Sequence, residues 1–340
     1  MSDPTAAAPA VLAFDGGSTK TDVVLVARDG AVLGRAHVGP SNHQLVGLET
    51  AIETLAEGAN AAAADAGLPE PGPGRPLCEL GVYCLAGVDL DVDEAALTPA
   101  LSATGWTGRV VVRNDTFAVS RAGTTAPWGI GVVCGTGMNC AATGPDGRTV
   151  RFPALAELSG DFAPGGAWLG VRALGLALRA GDGRGAATTL RARVPAHLGQ
   201  PDAEAVLAGV YTGAIGYNRL FELARVLLDA AADGDPEARQ AADLLADEVA
   251  AFVRAAVVRL GVQREPVEVV LGGGIFDTSD AGFHDRVAAG IHAAAPRAVL
   301  VRLEAPPVLG AGLIGLDLLG ATPDALGLLR TSLRAAAEPG

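Results

Sequence analysis

The residues best suited to chemistry lie in one short turn, Asp15 to Asp22, with the sequence DGGSTKTD. Its two adjacent glycines permit close backbone approach to a ligand. The serine and threonine that follow them offer hydroxyls to phosphate oxygens, and a cation held by Asp15 would suit a polyphosphate. Lys20, the only lysine of the chain, lies in the same turn. The pattern predicts a phosphate-binding hairpin, and a plain β-hairpin with a glycine turn is the alternative.

A second candidate is the pair Asn114-Asp115, which follows the strand-like run Arg109 to Arg113. The carboxyl ends of strands in open α/β sheets are where ligands bind. An aspartate there can orient or deprotonate a hydroxyl nucleophile in phosphoryl transfer. The alternative role is capping of the helix that starts near Thr116, because aspartate is a favoured N-cap. The two roles can coexist.

Three further glycine clusters could either contact a ligand or serve only the packing of the chain. The stretch Gly135 to Cys140, GTGMNC, combines backbone freedom with a hydroxyl and an amide, so it could contact phosphate or sugar hydroxyls. The run Gly272 to Gly274 follows a buried-type strand and allows backbone to approach a flat ring or ribose. The segment Gly310 to Gly312 precedes a helical region. Plain turns or tight helix–strand packing are the alternatives.

Elements that would position these residues follow from the apolar pattern. Three short strands form a meander that ends at Val38, and a helix is predicted from Val46 to Ala66. Further strands and helices alternate up to Asn114, and a second meander starts near Trp128. This order predicts an α/β protein of two lobes. We place the lobes at residues 1–126 and 127–340, with the last helix packing back on the N-terminal lobe.

Composition limits the partners. The net charge of −13 disfavours nucleic acid and anionic membrane. Apolar runs without charge stay below the ~20 residues of a transmembrane helix, and residues 2–10 lack a basic signal-peptide start. We therefore expect a cytoplasmic protein. We also expect it to form a homodimer. The four cysteines have no zinc spacing, so buried, reduced thiols are expected.

The ordered motifs resemble one family. They are DGGSTKTD, then SNH at 41–43, ND at 114–115, GTGMNC, GD at 160–161, LGGG at 271–274 and LGAG at 309–312. The set resembles the N-acetylglucosamine kinase family, in the group shared with ATPase activators of benzoyl-CoA reductases and hydroxyacyl-CoA dehydratases. The SNH and GTGxNC elements are more specific and point to amino-sugar kinases. The group belongs to the superfamily of actin, heat-shock ATPases and sugar kinases.

This resemblance implies two actin-like, ribonuclease H-like lobes with an ATP cleft between them. It implies transfer of phosphate from Mg-ATP to an amino sugar, with O6 of N-acetylglucosamine as the expected acceptor. Asp115 would be the catalytic base and Asp15 would position Mg²⁺. The implied ATP-binding residues are Gly16, Gly17, Ser18, Thr19, Lys20, Gly135, Thr136, Gly273, Gly274 and Gly310. The implied sugar-binding residues are Asn42, His43, Asn114, Asp115, Thr136, Asn139 and Asp161.

Alternatives remain at this point. Met138 and the segment Phe162 to Gly166 depart from the family pattern, which leaves glucosamine or another hexosamine open as the substrate. An ATPase that activates a dehydratase or reductase would use cysteines to hold an iron–sulfur cluster, and the four cysteines here do not fit that arrangement. A non-catalytic sugar sensor would not need Asp115 and the complete glycine set.

Overall fold

The computed structural model describes residues 8–334, which form two mixed sheets with flanking helices. The strands of the first sheet are β1 Pro9–Gly16, β2 Thr21–Ala27, β3 Val32–Val38, β4 Cys78–Leu85 and β5 Thr107–Asn114, in the spatial order β3-β2-β1-β4-β5. The strands of the second sheet are β6 Gly129–Cys134, β7 Met138–Thr143, β8 Thr149–Arg151, β9 Glu268–Gly272 and β10 Val299–Arg302, in the order β10-β9-β6-β7-β8. The expected α/β class is therefore confirmed.

In chain order the helices are α1 His43–Val46, α2 Leu48–Asp65, α3 Asp91–Ala103, α4 Asp115–Gly123, α5 Gly166–Asp182, α6 Leu190–Leu198, α7 Ala203–Thr212, α8 Leu223–Ala232, α9 Pro236–Leu260, α10 Ala281–Ala294, α11 Pro307–Leu318 and α12 Pro323–Arg334. The helix predicted from Val46 is interrupted by Gly47, whose φ of 85° is a left-handed conformation that favours glycine. No helix in residues 8–334 has the length and apolarity needed to cross a membrane.

The chain divides into two compact units. Unit 1 comprises Met1–Gly131, Ala141–Arg151 and Leu303–Gly340, and unit 2 comprises Val132–Cys140 and Phe152–Arg302. This division differs from the expected lobes at 1–126 and 127–340. The assignment of the C-terminal segment to unit 1 arises because α11 and α12 bury apolar side chains in the core that also contains Val11 of β1.

The first sheet has an apolar core on each face, because alternate residues of a strand point to opposite sides. Val11 and Ala13 of β1 face the cluster that includes α4, α11 and α12. Leu12 and Phe14 face the cluster that includes α2 and α3. A sheet covered on both faces is typical of parallel strands, and β1, β4 and β5 are parallel to one another. Their carboxyl ends therefore lie at one edge of the sheet.

Candidate active site

Two aspartates lie at the carboxyl ends of the parallel strands of the first sheet. Asp15 is the penultimate residue of β1 and is paired in register with Cys84 of β4, which is paired with Arg113 of β5. Asp115 begins α4 directly after β5 ends at Asn114. The parallel register therefore brings the predicted metal ligand and the predicted base to the same edge of unit 1.

Burial raises the pKa of both carboxyls. The pKa of Asp15 is raised to about 8, chiefly by burial and then by the negative charges of Asp115 and Asp22, while Lys20 acts in the opposite direction. The pKa of Asp115 is raised to about 6 by burial and by the nearby Asp89, against hydrogen bonding from Thr116. A pKa near neutrality suits a general base, because the group is both ionised and basic enough to accept a proton. A divalent cation would stabilise the ionised form of Asp15, whose pKa the charges of Asp115 and Asp22 raise.

The phosphate-type hairpin joins β1 to β2. The N–H of Gly17 donates to the Lys20 carbonyl at 2.8 Å, which closes the turn. Its hydroxyl residues, Ser18 and Thr19, are exposed at the tip. The ammonium of Lys20 lies 2.8 Å from Asp22, so this carboxylate fixes the position of the only lysine.

The Asn42–His43 segment lies beside this hairpin. Asn42 is the N-cap of α1: its Oδ1 accepts from the N–H of Gln44 at 3.1 Å, and its Nδ2 donates to the Ser18 hydroxyl at 3.0 Å. His43 Nε2 lies 3.1 Å from Asp93, and its buried Nδ1 has no partner among residues 8–334. The structure thus ties the predicted sugar segment to the phosphate hairpin, and the sugar contacts themselves stay predictions.

Asn114 and Asp89 form a support for Asp115 that was not expected. The Asn114 side chain caps α4 by accepting from the N–H of Thr116 at 2.9 Å, and it donates to Asp89 at 2.9 Å. Asp89 is buried in the loop after β4. The cap expected for Asp115 therefore belongs to its neighbour, which leaves the Asp115 carboxyl at the first helical position. A signal was present in the sequence, since Asp89 also follows a strand that ends at this edge.

Unit 2 contains the second glycine turn, between β6 and β7. Helix α5 begins against it: the N–H groups of Gly166 and Ala167 donate to the carbonyls of Gly135 and Thr136, both at 2.8 Å. A Cβ added at Gly135 would meet no atom within 4 Å, and the same holds for Gly137. The packing of unit 2 does not require glycine at either position, so these glycines are available for close approach of a ligand.

The third glycine cluster adjoins the same turn. Gly273 has a φ of 96°, and a Cβ there would lie 2.4 Å from the carbonyl oxygen of Cys134, so packing alone requires a glycine. At Gly274 a Cβ would meet only the Asp277 carboxyl, at 3.9 Å. Gly274 and the GTG turn line one cavity of about 380 Å³, whose other lining residues include Ala224, Arg225 and Leu228 of α8. The structure therefore brings three predicted ATP residues, Gly135, Thr136 and Gly274, to one cavity and adds α8, which sequence reasoning missed.

Asp161 lies in the segment of unit 2 that precedes α5, and it is not among the residues that line this cavity. It is 8% exposed and accepts from the Ser159 hydroxyl at 2.9 Å. Burial raises its pKa, and burial also raises the pKa of Glu248 on α9, which the charge of Asp161 raises further. The adjacent Phe162 is 74% exposed. Two carboxyl groups and an exposed aromatic ring therefore occur together here, and Glu248 was not anticipated.

Gly310 has a different environment from the other predicted ATP residues. It is buried inside α11, and a Cβ there would lie 1.8 Å from the carbonyl oxygen of Ala118 on α4. This packing accounts for the glycine without a ligand. Its expected position beside the nucleoside has no support in these contacts and stays a prediction.

The residues of unit 1 fit a magnesium ion. No group of three or more His, Cys, Asp or Glu side chains within residues 8–334 could hold a metal by itself. Mg²⁺, however, is usually bound through one or two carboxylates, with substrate phosphates and water completing the shell. Asp15, at the base of a phosphate-type hairpin, matches that donor set.

The cysteines are buried thiols. All four are unpaired and buried, and burial raises the pKa of Cys78 and of Cys134 to about 12. Thiolates are the form that binds iron. The expectation of buried thiols therefore holds for all four cysteines.

Comparison with known proteins assigns the chain to a family. The model of the BadF/BadG/BcrA/BcrD ATPase family matches residues 13–315. The chain belongs to that family. It is 27% identical over 267 residues to the N-acetylmuramic acid/N-acetylglucosamine kinase of Clostridium acetobutylicum, which covers 78% of this chain and 85% of that protein.

Solved structures agree with this assignment. A Chromobacterium violaceum protein provisionally named N-acetylglucosamine kinase has a TM-score of 0.68 at 27% identity, covering 91% of this chain and 99% of its own. The ROK hexokinase of Thermus thermophilus, at 17% identity and a TM-score of 0.56 with 91% and 98% coverage, shares the fold. The expected resemblance to the N-acetylglucosamine kinase group and the two-lobed α/β fold are confirmed.

Proposed function

We propose that this chain is an ATP-dependent kinase that phosphorylates N-acetylglucosamine on O6. The sugar-kinase class is supported by the relatives of the chain, and an amino sugar is supported by the names of the two relatives that are 27% identical to it. The specific sugar and the O6 position are our proposal. The single observation that carries the chemistry is Asp115, a carboxyl with a pKa near 6 at the edge of the sheet that also holds Asp15.

In the proposed reaction Asp115 accepts the proton of the sugar hydroxyl as that oxygen attacks the γ-phosphorus of ATP, the bond from this phosphorus to the β–γ bridging oxygen breaks, and ADP leaves. The start of a helix stabilises a carboxylate, which would lower the pKa of Asp115. Burial and Asp89 outweigh that effect, so the group stays basic enough to accept a proton. Asn114, held by Asp89, fixes the first turn of α4 and thereby the direction of the Asp115 carboxyl.

Each unit, taken by itself, offers groups that suit one part of the nucleotide. In unit 1, the tip of the hairpin offers Ser18, Thr19 and Lys20 to phosphate oxygens. In unit 2, the cavity beside Gly135 and Gly274 would take the nucleoside, because its glycines allow backbone to approach a flat base. When bound at Asp15, Mg²⁺ would neutralise charge on the transferred phosphate.

The residues that we expect to bind the sugar are Asn42 and His43 in unit 1, and Thr136, Asn139 and Asp161 in unit 2. A pocket built from paired polar groups rejects a sugar that leaves one of them unpaired, at about 1–3 kcal/mol for each buried group. The exposed Phe162 beside Asp161 supplies an apolar surface that suits the methyl of an acetamido group. This arrangement supports N-acetylglucosamine over glucosamine.

The test replaces the base and compares sugars. Asp115→Asn should lower kcat on the order of 10²-fold or more while ATP binding, measured by calorimetry, is retained. Near-normal turnover in a folded variant would remove Asp115 from this role. A coupled ADP-release assay with N-acetylglucosamine, glucosamine, N-acetylmannosamine and glucose decides the substrate, and ³¹P–¹³C NMR of the product decides the oxygen. If glucosamine gives the highest kcat/KM, the acetamido assignment is wrong although the kinase assignment stands.

A further inference from the structure

Unit 1 contains a cavity that the proposed reaction does not use. Its volume is about 240 Å³, and its lining includes Arg113, Phe117, Thr124, Trp128 and Leu318. None of these residues was predicted to bind ATP or sugar. Three of them lie on or next to α4, and the others come from the segment before β6 and from α11.

The charge in this cavity is not balanced. The guanidinium carbon of Arg113 lies 5.8 Å from the centroid of the Phe117 ring, and within residues 8–334 Arg113 has no carboxylate within ion-pair distance. The cavity's other cation, Arg121, is paired with Asp317 at 2.6 and 3.2 Å. In a chain with 38 acidic and 25 basic residues, a half-buried guanidinium without a carboxylate is unusual. The environment therefore favours an anion.

The rest of the lining is mainly apolar, with one polar group unused. Phe117, Trp128 and Leu318 contribute apolar surface. The hydroxyl of Thr124, a residue that is only 1% exposed, has no hydrogen-bond partner in the described part of the chain. Ser120, Thr143 and Thr149 also line the cavity, but apolar atoms form most of its wall, so several hydroxyls of a sugar phosphate would lack partners there. A flat or branched hydrocarbon body with one carboxylate matches the surface better.

We propose that this cavity is a second ligand site, which binds a small organic carboxylate with an apolar body. The carboxylate pairs with Arg113, and the body packs against Phe117, Trp128 and Leu318. The volume lies below the range of about 300–1,000 Å³ usual for drug-sized ligands, so the ligand is small. Because α4 begins at Asp115 and also lines the cavity, occupancy of the site acts on the helix that carries the proposed base.

The test measures binding of benzoate by calorimetry and ligand-detected NMR on the full chain. We expect saturable binding to the wild type, weakened about tenfold or more in Arg113→Gln, because a charged hydrogen bond is lost. Arg109→Gln removes the same charge from an exposed position on β5 and should bind benzoate as the wild type does. Benzamide, which has the same ring without the charge, should bind at least tenfold more weakly than benzoate.

A second variant guards against a folding defect in Arg113→Gln. Leu318 is 50% exposed, so the variant Leu318→Glu is expected to fold. The carboxylate that this substitution introduces would pair with Arg113 and exclude benzoate. Absence of saturable benzoate binding to the wild type would overturn the proposal, as would equal binding by Arg113→Gln or equal affinity for benzamide. None of these measurements requires kinase activity, so they separate this site from the proposed function. The action on α4 is tested by kcat with and without saturating benzoate, and an unchanged kcat would refute that part.

Discussion

Replacement of Gly310 by alanine tests whether this glycine serves packing or nucleotide binding. The added Cβ would lie 1.8 Å from the carbonyl oxygen of Ala118, whereas real Cβ atoms stay at least 3.0 Å from such neighbours. The contacting atom is backbone in the middle of α4, so it cannot rotate away. Helices α4 and α11 would have to separate by about an ångström. Overpacking typically costs about 1–3 kcal/mol, and we expect the upper end of that range or more.

The assay is thermal unfolding together with ATP calorimetry. For a unit of this size each kcal/mol shifts Tm by roughly 2–4 °C, so Gly310→Ala should lower Tm by roughly 6–12 °C. Gly135→Ala is the matched control, because its Cβ meets open space. It should keep Tm within a few degrees and weaken ATP binding about tenfold or more. An unchanged Tm in Gly310→Ala with lost ATP affinity would refute the packing argument and restore the nucleoside role.

Three further predictions concern other residues. Asp89→Asn should lower kcat by about tenfold with ATP affinity unchanged, since Asn114 loses a hydrogen bond to a charged group; an unchanged kcat would contradict the support role. Asp235 is the N-cap of α9. Burial alone would raise the pKa of its carboxyl, but hydrogen bonds that include those from Ala238 and Thr189 lower it. The stability that ionised Asp235 contributes should therefore be complete above the unfolded pKa of about 3.9, and it should disappear as the pH falls through the lower folded pKa. The unfolding free energies of the wild type and Asp235→Asn should accordingly differ at pH 7 and converge in acid. No cysteine should react with a thiol reagent in the native protein, and all four should react after denaturation; rapid modification of any one, or stoichiometric iron, would revive the activator hypothesis.

The sequence predicted the elements whose pattern is local. Asp235-Pro236 predicts the start of a long helix that runs to Leu260, because proline is favoured at the first helical position, and the structure places α9 at Pro236–Leu260. The DGG and GTG turns are hairpins as expected, because glycine next to apolar strands defines a turn. In contrast, the Ala/Leu-rich run from Ala203 to Ala232 predicts a helical stretch, but the structure interrupts it at Gly213, whose φ is 78°. A glycine in an apolar helical pattern does not reveal whether the chain continues or turns.

What depends on distant partners could not be predicted. Nothing local in the sequence shows that Asn114 rather than Asp115 caps α4, or that the buried Asp89 holds Asn114 in place. Gly310 and Gly274 occur in similar glycine-rich segments of the sequence. The backbone of α4 fills the space beside Gly310, whereas the space beside Gly274 is nearly open. Such assignments require the positions of elements that are far apart in the chain.

The composition of unit 1 has a consequence for synthesis on the ribosome. Its core joins Val11 of β1 to Leu309 and Leu313 of α11, nearly three hundred residues later in the chain. A Cβ at Gly315 would lie 2.3 Å from Val11, so the helix is seated directly on the first strand. The part of the β1 face that packs on α11 therefore stays uncovered until translation is nearly complete, while most of unit 2 emerges as one continuous segment. Nascent chains that stall before α11 would expose that face and be targets for chaperones.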